Sequence, residues 1–302
     1  MQIIRPDSNF DFISKNRLAV IISLAVILAG IVSLAVKGGP EYGIDFSGGT
    51  LVQVQFAAPT HPSEIKEALQ GLNLGSLTVQ QFGDESNEYL LRAQETDAEL
   101  ARLAKRMEKA LEEKYGAGNV EIRRTEMVGP QVGKDLRNKG FFALLYAIGG
   151  TLVYIAWRFE FRFAVSAVVA LVHDVLVTLG FFSIFAKEID LPIIAAFLTI
   201  IGYSLNDTIV IYDRIRENLA KYSNEGFANT VNRSINETLS RTILTSGTTL
   251  LVVLALFIFG GGVIHDFAFA LLVGVIAGTY STIFVASALI LFWEKHRPRE
   301  NG

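Results

Sequence analysis

The sequence contains no cysteine, and its 302 residues include only four histidines. Without cysteine there is no disulfide framework, no thiolate nucleophile and no thiolate metal site, and an oxidising compartment poses no redox problem. His61, His173, His265 and His296 lie too far apart to form a local metal motif. Charge is scarce too: 19% of residues are charged and the formal net charge is −3. That balance offers no dispersed basic surface for nucleic acid. No glycine run ends in Lys-Ser or Lys-Thr, so an ATP-powered enzyme with a phosphate-binding loop is not expected. The sequence calls for no cofactor and no metal.

What the chain has is apolar length: 51% of residues are hydrophobic, 21 of them Phe. Leu18 to Val36 is an almost wholly apolar run of 19 residues, just enough to cross a hydrocarbon core of ~30 Å. It is longer than a typical signal-peptide core, and no small-x-small cleavage site follows, so an uncleaved first span is expected. Further spans are predicted at Phe141–Trp157, Phe163–Ala186, Leu191–Tyr212, Thr242–Phe259 and Phe267–Trp293, which makes six. Tyr222 to Thr238 carries Phe227, Val231, Ile235 and Leu239 at a four-residue rhythm, predicting an amphipathic helix lying along the membrane. Gly260-Gly261-Gly262 reads as a flexible turn.

Loop charge sets the orientation. The loops on the amino-terminal side hold 13 Lys and Arg: Arg5, Lys15, Arg17, Arg158, Arg162, Arg214, Arg216, Lys221, Arg233, Arg241, Lys295, Arg297 and Arg299. The short loops opposite hold only Lys187. The positive-inside bias predicts both termini in the cytoplasm and the block between the first two spans outside it. Trp157 and Trp293 then fall near the cytoplasmic boundary, where aromatic anchors sit.

The expected domains are 1–37 (amino terminus and first span), 38–137 (an extracytoplasmic domain) and 138–302 (five spans, loops and carboxyl terminus). Residues 38–137 hold 16 acidic side chains against 11 basic. Leu51, Val52, Val54 and Phe56 mark a strand, and Gly48-Gly49 before it permit a tight turn or close backbone approach. A short helix over 61–70, strands around Leu77–Phe82 and Tyr89–Ala93, a helix from Asp97 (its N-cap) to Tyr115, and a last strand at Val120–Val128 follow. The order β-α-β-β-α-β is that of a ferredoxin-like α+β unit, with two helices on one sheet face and the other face free for solvent or a partner. No nucleophile, base and orienting group stand together in it, so binding or mechanical coupling is expected of it rather than hydrolysis.

The chemistry concentrates within the apolar runs. Asn206 and Asp207 lie in the fourth span, which leaves the membrane through Asp213, Arg214 and Arg216. A carboxylate inside a membrane helix is by default a functional-site hypothesis; the competing reading is a buried, paired carboxylate that only specifies helix packing. His173-Asp174 add a second carboxylate and a side chain suited to proton exchange near neutrality. Arg241 opens the fifth span, ahead of Thr242, Thr245, Ser246, Thr248 and Thr249. It reads either as part of a polar pathway or as an interfacial cation that snorkels. Gly202, Thr248, Thr249, Gly274 and Gly278 are candidates for close helix packing.

Three segments carry a specific resemblance: Gly43-Ile44-Asp45-Phe46-Ser47-Gly48-Gly49, Val128-Gly129-Pro130-Gln131-Val132-Gly133, and Gly202–Asn218. Ser240-Arg241-Thr242, Thr248-Thr249 and Gly278-Thr279-Tyr280-Ser281 agree with them. Over nearly its full length the chain resembles the SecF side of the SecD/SecF family of bacterial protein-export membrane subunits, of the resistance-nodulation-division type. The resemblance implies a multi-pass inner-membrane subunit that forms a heterodimer with SecD beside the SecYEG channel, with YajC and YidC as further neighbours. It implies proton-motive-force-driven help for translocating preproteins, and it places Asp207 and Arg241 at family positions associated with proton coupling. His173, Asp174 and Asn206 join them as candidates, and Asp45, Gly48 and Gly49 as a motif of the extracytoplasmic domain. A structural scaffold and half of a small-molecule exporter stand as alternatives.

Overall fold

The computed structural model describes residues 9–72, 74, 76–82, 87–94, 100–222 and 224–296. Arg5, Asp97, Arg297 and Arg299 lie outside the described residues. A 3-10 turn at Ile13–Lys15 leads into helix α1 (Asn16–Lys37). After it come a one-turn helix α2 (Ile44–Ser47), strand β1 (Gly49–Phe56), α3 (Pro62–Leu69), β2 (Ser76–Gln81), β3 (Glu88–Gln94), α4 (Leu100–Tyr115) and β4 (Val120–Val128). The rest is helical: α5 (Pro130–Arg158), α6 (Phe161–Ile184), α7 (Leu191–Lys221) and α8 (Phe227–Phe259). The last membrane-length segment joins α9 (Gly262–Ser281) to α10 (Ser287–His296) through a π-helical stretch at Thr282–Ala286. Six helical segments among the described residues are long and apolar enough to cross a membrane.

The four strands form one sheet in the order β2-β3-β1-β4, each neighbouring pair antiparallel. With α3 and α4 inserted after β1 and β3, this is the ferredoxin-like arrangement that the sequence predicts. Period-2 burial puts Val52, Val54 and Phe56 on one face, against Ile65 and Leu69 of α3 and Leu103, Met107 and Leu111 of α4. The opposite face is not free. Leu51 and Leu90 pack with Ile44, while Arg92 is ion-paired to Glu188 in the loop between α6 and α7.

Two further expectations change. The Gly260–Gly262 turn is packed rather than free: a Cβ on Gly262 would lie 2.0 Å from Phe82 Cε2. The segment Tyr222–Thr238 forms no separate surface helix. From Phe227 it runs straight on into the fifth span as one helix, because Val231, Ile235 and Leu239 are buried against Phe163, Ile211 and Ile215. The apolar rhythm was real, but it faces the cytoplasm-predicted end of the bundle, not lipid.

Within the bundle, α6, α7 and α9 are the inner helices, whereas α1, α5 and α8 present most of their surface outward. Close crossings rest on glycine: a Cβ on Gly30 of α1 would stand 2.6 Å from Gly180 Cα of α6, and one on Gly274 would stand 2.2 Å from Ile200 of α7. The predicted orientation has a direct check. A protease-cleavable tag in the exposed turn at residues 116–119, between α4 and β4, should be cut from outside intact spheroplasts. Cutting only after the membrane is opened would overturn the topology.

Candidate functional site

The membrane carboxylates differ in what surrounds them. Asp174 lies at the centre of a network that joins four helices. Tyr280 Oη donates to the Ala19 carbonyl at 2.5 Å, which leaves its lone pairs to accept from Ser23 Oγ at 3.1 Å. Ser23, having given its only proton, accepts from His173 Nε2 at 3.1 Å, and this places a hydrogen on that nitrogen. The other ring nitrogen, Nδ1, is 2.9 Å from Asp174 Oδ1, and one hydrogen must lie between them. Either imidazolium donates to carboxylate or carboxylic acid donates to imidazole; both forms hold the same proton and no net charge. Asp174 Oδ2 accepts from Ser204 Oγ at 2.7 Å and Ser281 Oγ at 2.9 Å. Gly278 makes room for this: a Cβ there would sit 3.0 Å from Ser204 and 3.5 Å from Asp174 Oδ2. The network is saturated.

Asp207 is starved by comparison. It is 2% exposed, and its Oδ1 is buried with no hydrogen-bond partner among the described residues. Ser246 Oγ stands 3.5 Å from Oδ2, the outer limit for a hydrogen bond, and pairs with Thr279 Oγ1 at 2.9 Å. Thr279 gives its own proton to the Val275 carbonyl at 2.8 Å, so the Ser246 proton is drawn to Thr279. Other polar atoms near this helix pair share the condition: Tyr203 Oη, one turn before Asp207, and Thr242 Oγ1, one turn before Ser246, are buried without partners. Arg241 is close enough for its field to act on Asp207 yet forms no ion pair among the described residues. Two buried carboxylates therefore stand in opposite states of supply, and Asp207 has no ion pair among the described residues.

Several candidates face outward. Thr199, Gly202 and Asn206, at three- and four-residue spacing, are exposed along one face of α7, and Arg241 and Thr248 are exposed on α8. Gly202 meets nothing within 4 Å, and Thr248 bonds back to the Leu244 carbonyl at 2.9 Å, so neither packs helices within this chain; Thr249 is half-buried. Polar groups at membrane depth need a protein partner or water, not lipid tails. At the far end of α7, Asp213 pairs with Arg158 and Arg216 at 3.1 Å, and Arg214 pairs with Glu217 at 3.1 Å and Glu237 at 3.6 Å. These fasten α7 to α5 and α8.

The other end of α7 is tied to the sheet domain. Asp45 Oδ2 accepts from the Leu191 amide at 3.0 Å, and Asp190 Oδ1 from the Ile193 amide at 3.2 Å, so two carboxylates cap the helix start. Gly43 N–H donates to the Ile189 carbonyl at 2.9 Å and Ile189 N–H to the Glu41 carbonyl at 2.8 Å. Gly48, at φ +75°, lies against Pro130, where a Cβ would be 2.7 Å from the Pro130 Cα. Gly133 packs on the same turn, 3.0 Å from Gly48 N by the same measure. The two glycine motifs that bracket the domain thus lock onto each other at the entry to α5.

Asp190 lies just outside the helix. Burial, with Asp45 and Asp266 nearby, pushes its carboxyl up to about 6, against the opposing pull of the Ile193 amide and Arg92. The folded value exceeds the unfolded one near 3.8, so its contribution to stability is fully present below about pH 4 and is lost as pH rises through about 6. The purified chain should melt higher at pH 4.5 than its other carboxylates alone would allow, by on the order of 2–3 kcal/mol relative to pH 7. Asp190→Asn, which keeps the cap, should flatten that difference; an unchanged pH profile would contradict the assignment.

Sequence reasoning missed Ser23, Ser204, Tyr280 and Ser281 as partners of the His173–Asp174 pair, and the π-helical stretch that follows Ser281. Ser23 had a usable signal, a hydroxyl within an otherwise apolar span. The π stretch had none; at its first residue, Thr282 pairs with Thr208 Oγ1 at 2.9 Å.

Six spans, one ferredoxin-like domain tied to the start of the fourth span, and two buried carboxylates in the bundle define a multi-pass membrane protein. Comparisons with known proteins agree. The family "Protein export membrane protein SecD/SecF, C-terminal" matches residues 107–296, and the SecD/SecF GG motif matches residues 32–60. A protein translocase subunit SecF of Desulfurispirillum indicum is 48% identical over 296 residues, covering 95% of this chain and 92% of that one. A protein translocase subunit SecF of Calditerrivibrio nitroreducens is 45% identical over 302 residues, covering 99% of each. The crystal structure of SecDF, a translocon-associated membrane protein of Thermus thermophilus, superposes with a TM-score of 0.85 at 35% identity. It covers 97% of this chain, which spans 40% of that one. A structure of SecDF in a super-membrane-facing form gives 0.70 at 36% identity, with 98% and 40% covered. The chain belongs to the SecF subunits of the SecD/SecF protein-export family.

Proposed function

We propose that this chain is the SecF-type half of an accessory to Sec protein export, and that with SecD it turns the proton motive force into movement of the extracytoplasmic domain beside the SecYEG channel. One observation carries the proposal. Asp207, buried with an unpartnered oxygen, lies on the same helix whose first residue is capped by Asp45 of the glycine motif. Sixteen residues separate Asp207 from Leu191, ~24 Å of rigid helix. A change of charge at Asp207 alters how α7 packs against α8 and α9, and α7 transmits the change to the domain.

In this mechanism Asp207 exchanges the proton and Arg241 biases its charge state from α8. The His173–Asp174 pair keeps its shared proton and pins α1, α6, α7 and α9 together. The outward row of Gly202 and Asn206 on α7, with Arg241 and Thr248 on α8, is the face that SecD covers. In this reading both termini lie in the cytoplasm, as the positive-inside bias of the loops favours, and the sheet domain lies on the side where preproteins emerge. The unequal fit of two SecDF structures of near-equal identity accords with a machine of more than one arrangement.

The exporter alternative fares worse. On the sheet-domain side a cavity of about 550 Å³ is lined by Arg92, Lys187, Glu188, Asp190 and Asp266. Phe82, Phe257, Ile258 and Phe259 complete the lining, and this mix of charged and apolar groups suits a contact between the domain and the bundle better than a site for an apolar substrate. Loss of gradient-dependent export on Asp207→Asn, with the SecD complex intact, tests the proposal; unchanged export would favour the scaffold.

A further inference from the structure

On the outer flank of the bundle, away from Asp207, α1 leans off α6 and α10 and leaves a groove of about 1030 Å³. Its floor and walls are apolar, formed by Leu24 and Ile27 of α1, Leu176 of α6 and Phe292 of α10 among others. It runs from Ile13 to Ile27 along α1, ~21 Å at ~1.5 Å per residue. Half of a ~30 Å hydrocarbon core is ~15 Å, so the groove spans one leaflet and the headgroup layer above it. At its rim, on the side opposite the sheet domain, stand Arg17 and Lys295. Both are exposed, and neither has a hydrogen bond or ion pair among the described residues. The nearby carboxylate Glu294 is engaged with Arg162.

We propose that this groove is a binding site for one anionic phospholipid of that leaflet. Its acyl chains lie along α1 and α6, and its phosphate pairs with Arg17 and Lys295. Two features point to this occupant over a passing lipid tail: two cations on one rim with no ion pair among the described residues, and a length that matches one leaflet. The site has a structural consequence. Ser23 and His173 line the same groove, so the bound chain covers the α1 end of the His173–Asp174 network.

The test is native mass spectrometry of the full chain released from detergent, titrated with phosphatidylglycerol and with phosphatidylcholine. The wild type should retain one phosphatidylglycerol with a preference of about 30-fold, the effect of two basic side chains at a membrane surface. Arg17→Gln with Lys295→Gln should reduce that preference to within about threefold. Ala288→Phe, which fills the groove without changing charge, should lower the binding of both lipids. An unchanged preference in the double variant would overturn the site. So would an equal loss on Arg214→Gln with Arg216→Gln, which would make the attraction diffuse, or retention of phosphatidylglycerol by Ala288→Phe.

Discussion

Asp207→Asn should leave the chain folded and bound to its partner while reducing gradient-dependent stimulation of export to the level seen without a gradient. The amide matches the carboxylate in shape, and among the described residues the one donor to Asp207 is Ser246 at 3.5 Å, so little hydrogen bonding is lost. Thermal stability should move by less than about 1 kcal/mol. What disappears is the ability to change charge. The same substitution at Asp174 should behave differently, since that carboxylate holds His173, Ser204 and Ser281 in place. Losing one partner of a saturated buried network leaves other groups unsatisfied. The two acids therefore separate coupling from architecture.

Gly48→Val should be the most damaging change outside the membrane. At φ +75° a β-branched residue is strained by about 1–3 kcal/mol. Its side chain would also start 2.7 Å from the Pro130 Cα, backbone that has no rotamer by which to yield. Overpacking of that kind adds about 1–3 kcal/mol. The expected result is a lowered melting temperature and a domain that no longer holds the entry to α5, detected as faster proteolysis around residues 129–133. Gly118→Ala is the control: its φ is +89°, but nothing lies within 4 Å, so strain alone operates. If Gly48→Val melts with the wild type, the two glycine motifs do not form the lock described here.

Sequence periodicity and span length were enough for the six helices and for the βαββαβ order, because both depend on burial patterns of period 3.6 and 2 that local residues carry. The helix limits were less legible. The second span begins at Pro130 and the fifth at Phe227, well before their apolar runs, since polar turns continue a helix when a neighbour buries one face. Asp207 and Asp174 were both visible as carboxylates within apolar runs, yet the sequence treated them alike. Only the fold shows that one accepts from hydroxyls of two other helices, while the other has a single hydroxyl at 3.5 Å among the described residues. Gly202 shows a different limit: glycine in a span suggests close helix packing, and here its face opens outward, away from the described residues of this chain. The composition of a helix shows that a face is special, not which molecule covers it. For the same reason Gly30 and Gly180, isolated glycines in different spans, gave no hint that they meet.

The central claim, that protonation of Asp207 drives the coupling, is tested most directly in proteoliposomes holding this chain, SecD and the SecYEG channel. Preprotein export is followed with and without an imposed pH gradient, for wild type and Asp207→Asn. The account predicts gradient-stimulated export in the wild type and export at the no-gradient rate in the variant, with equal complex recovered from both. Equal stimulation by the gradient in the two would contradict it.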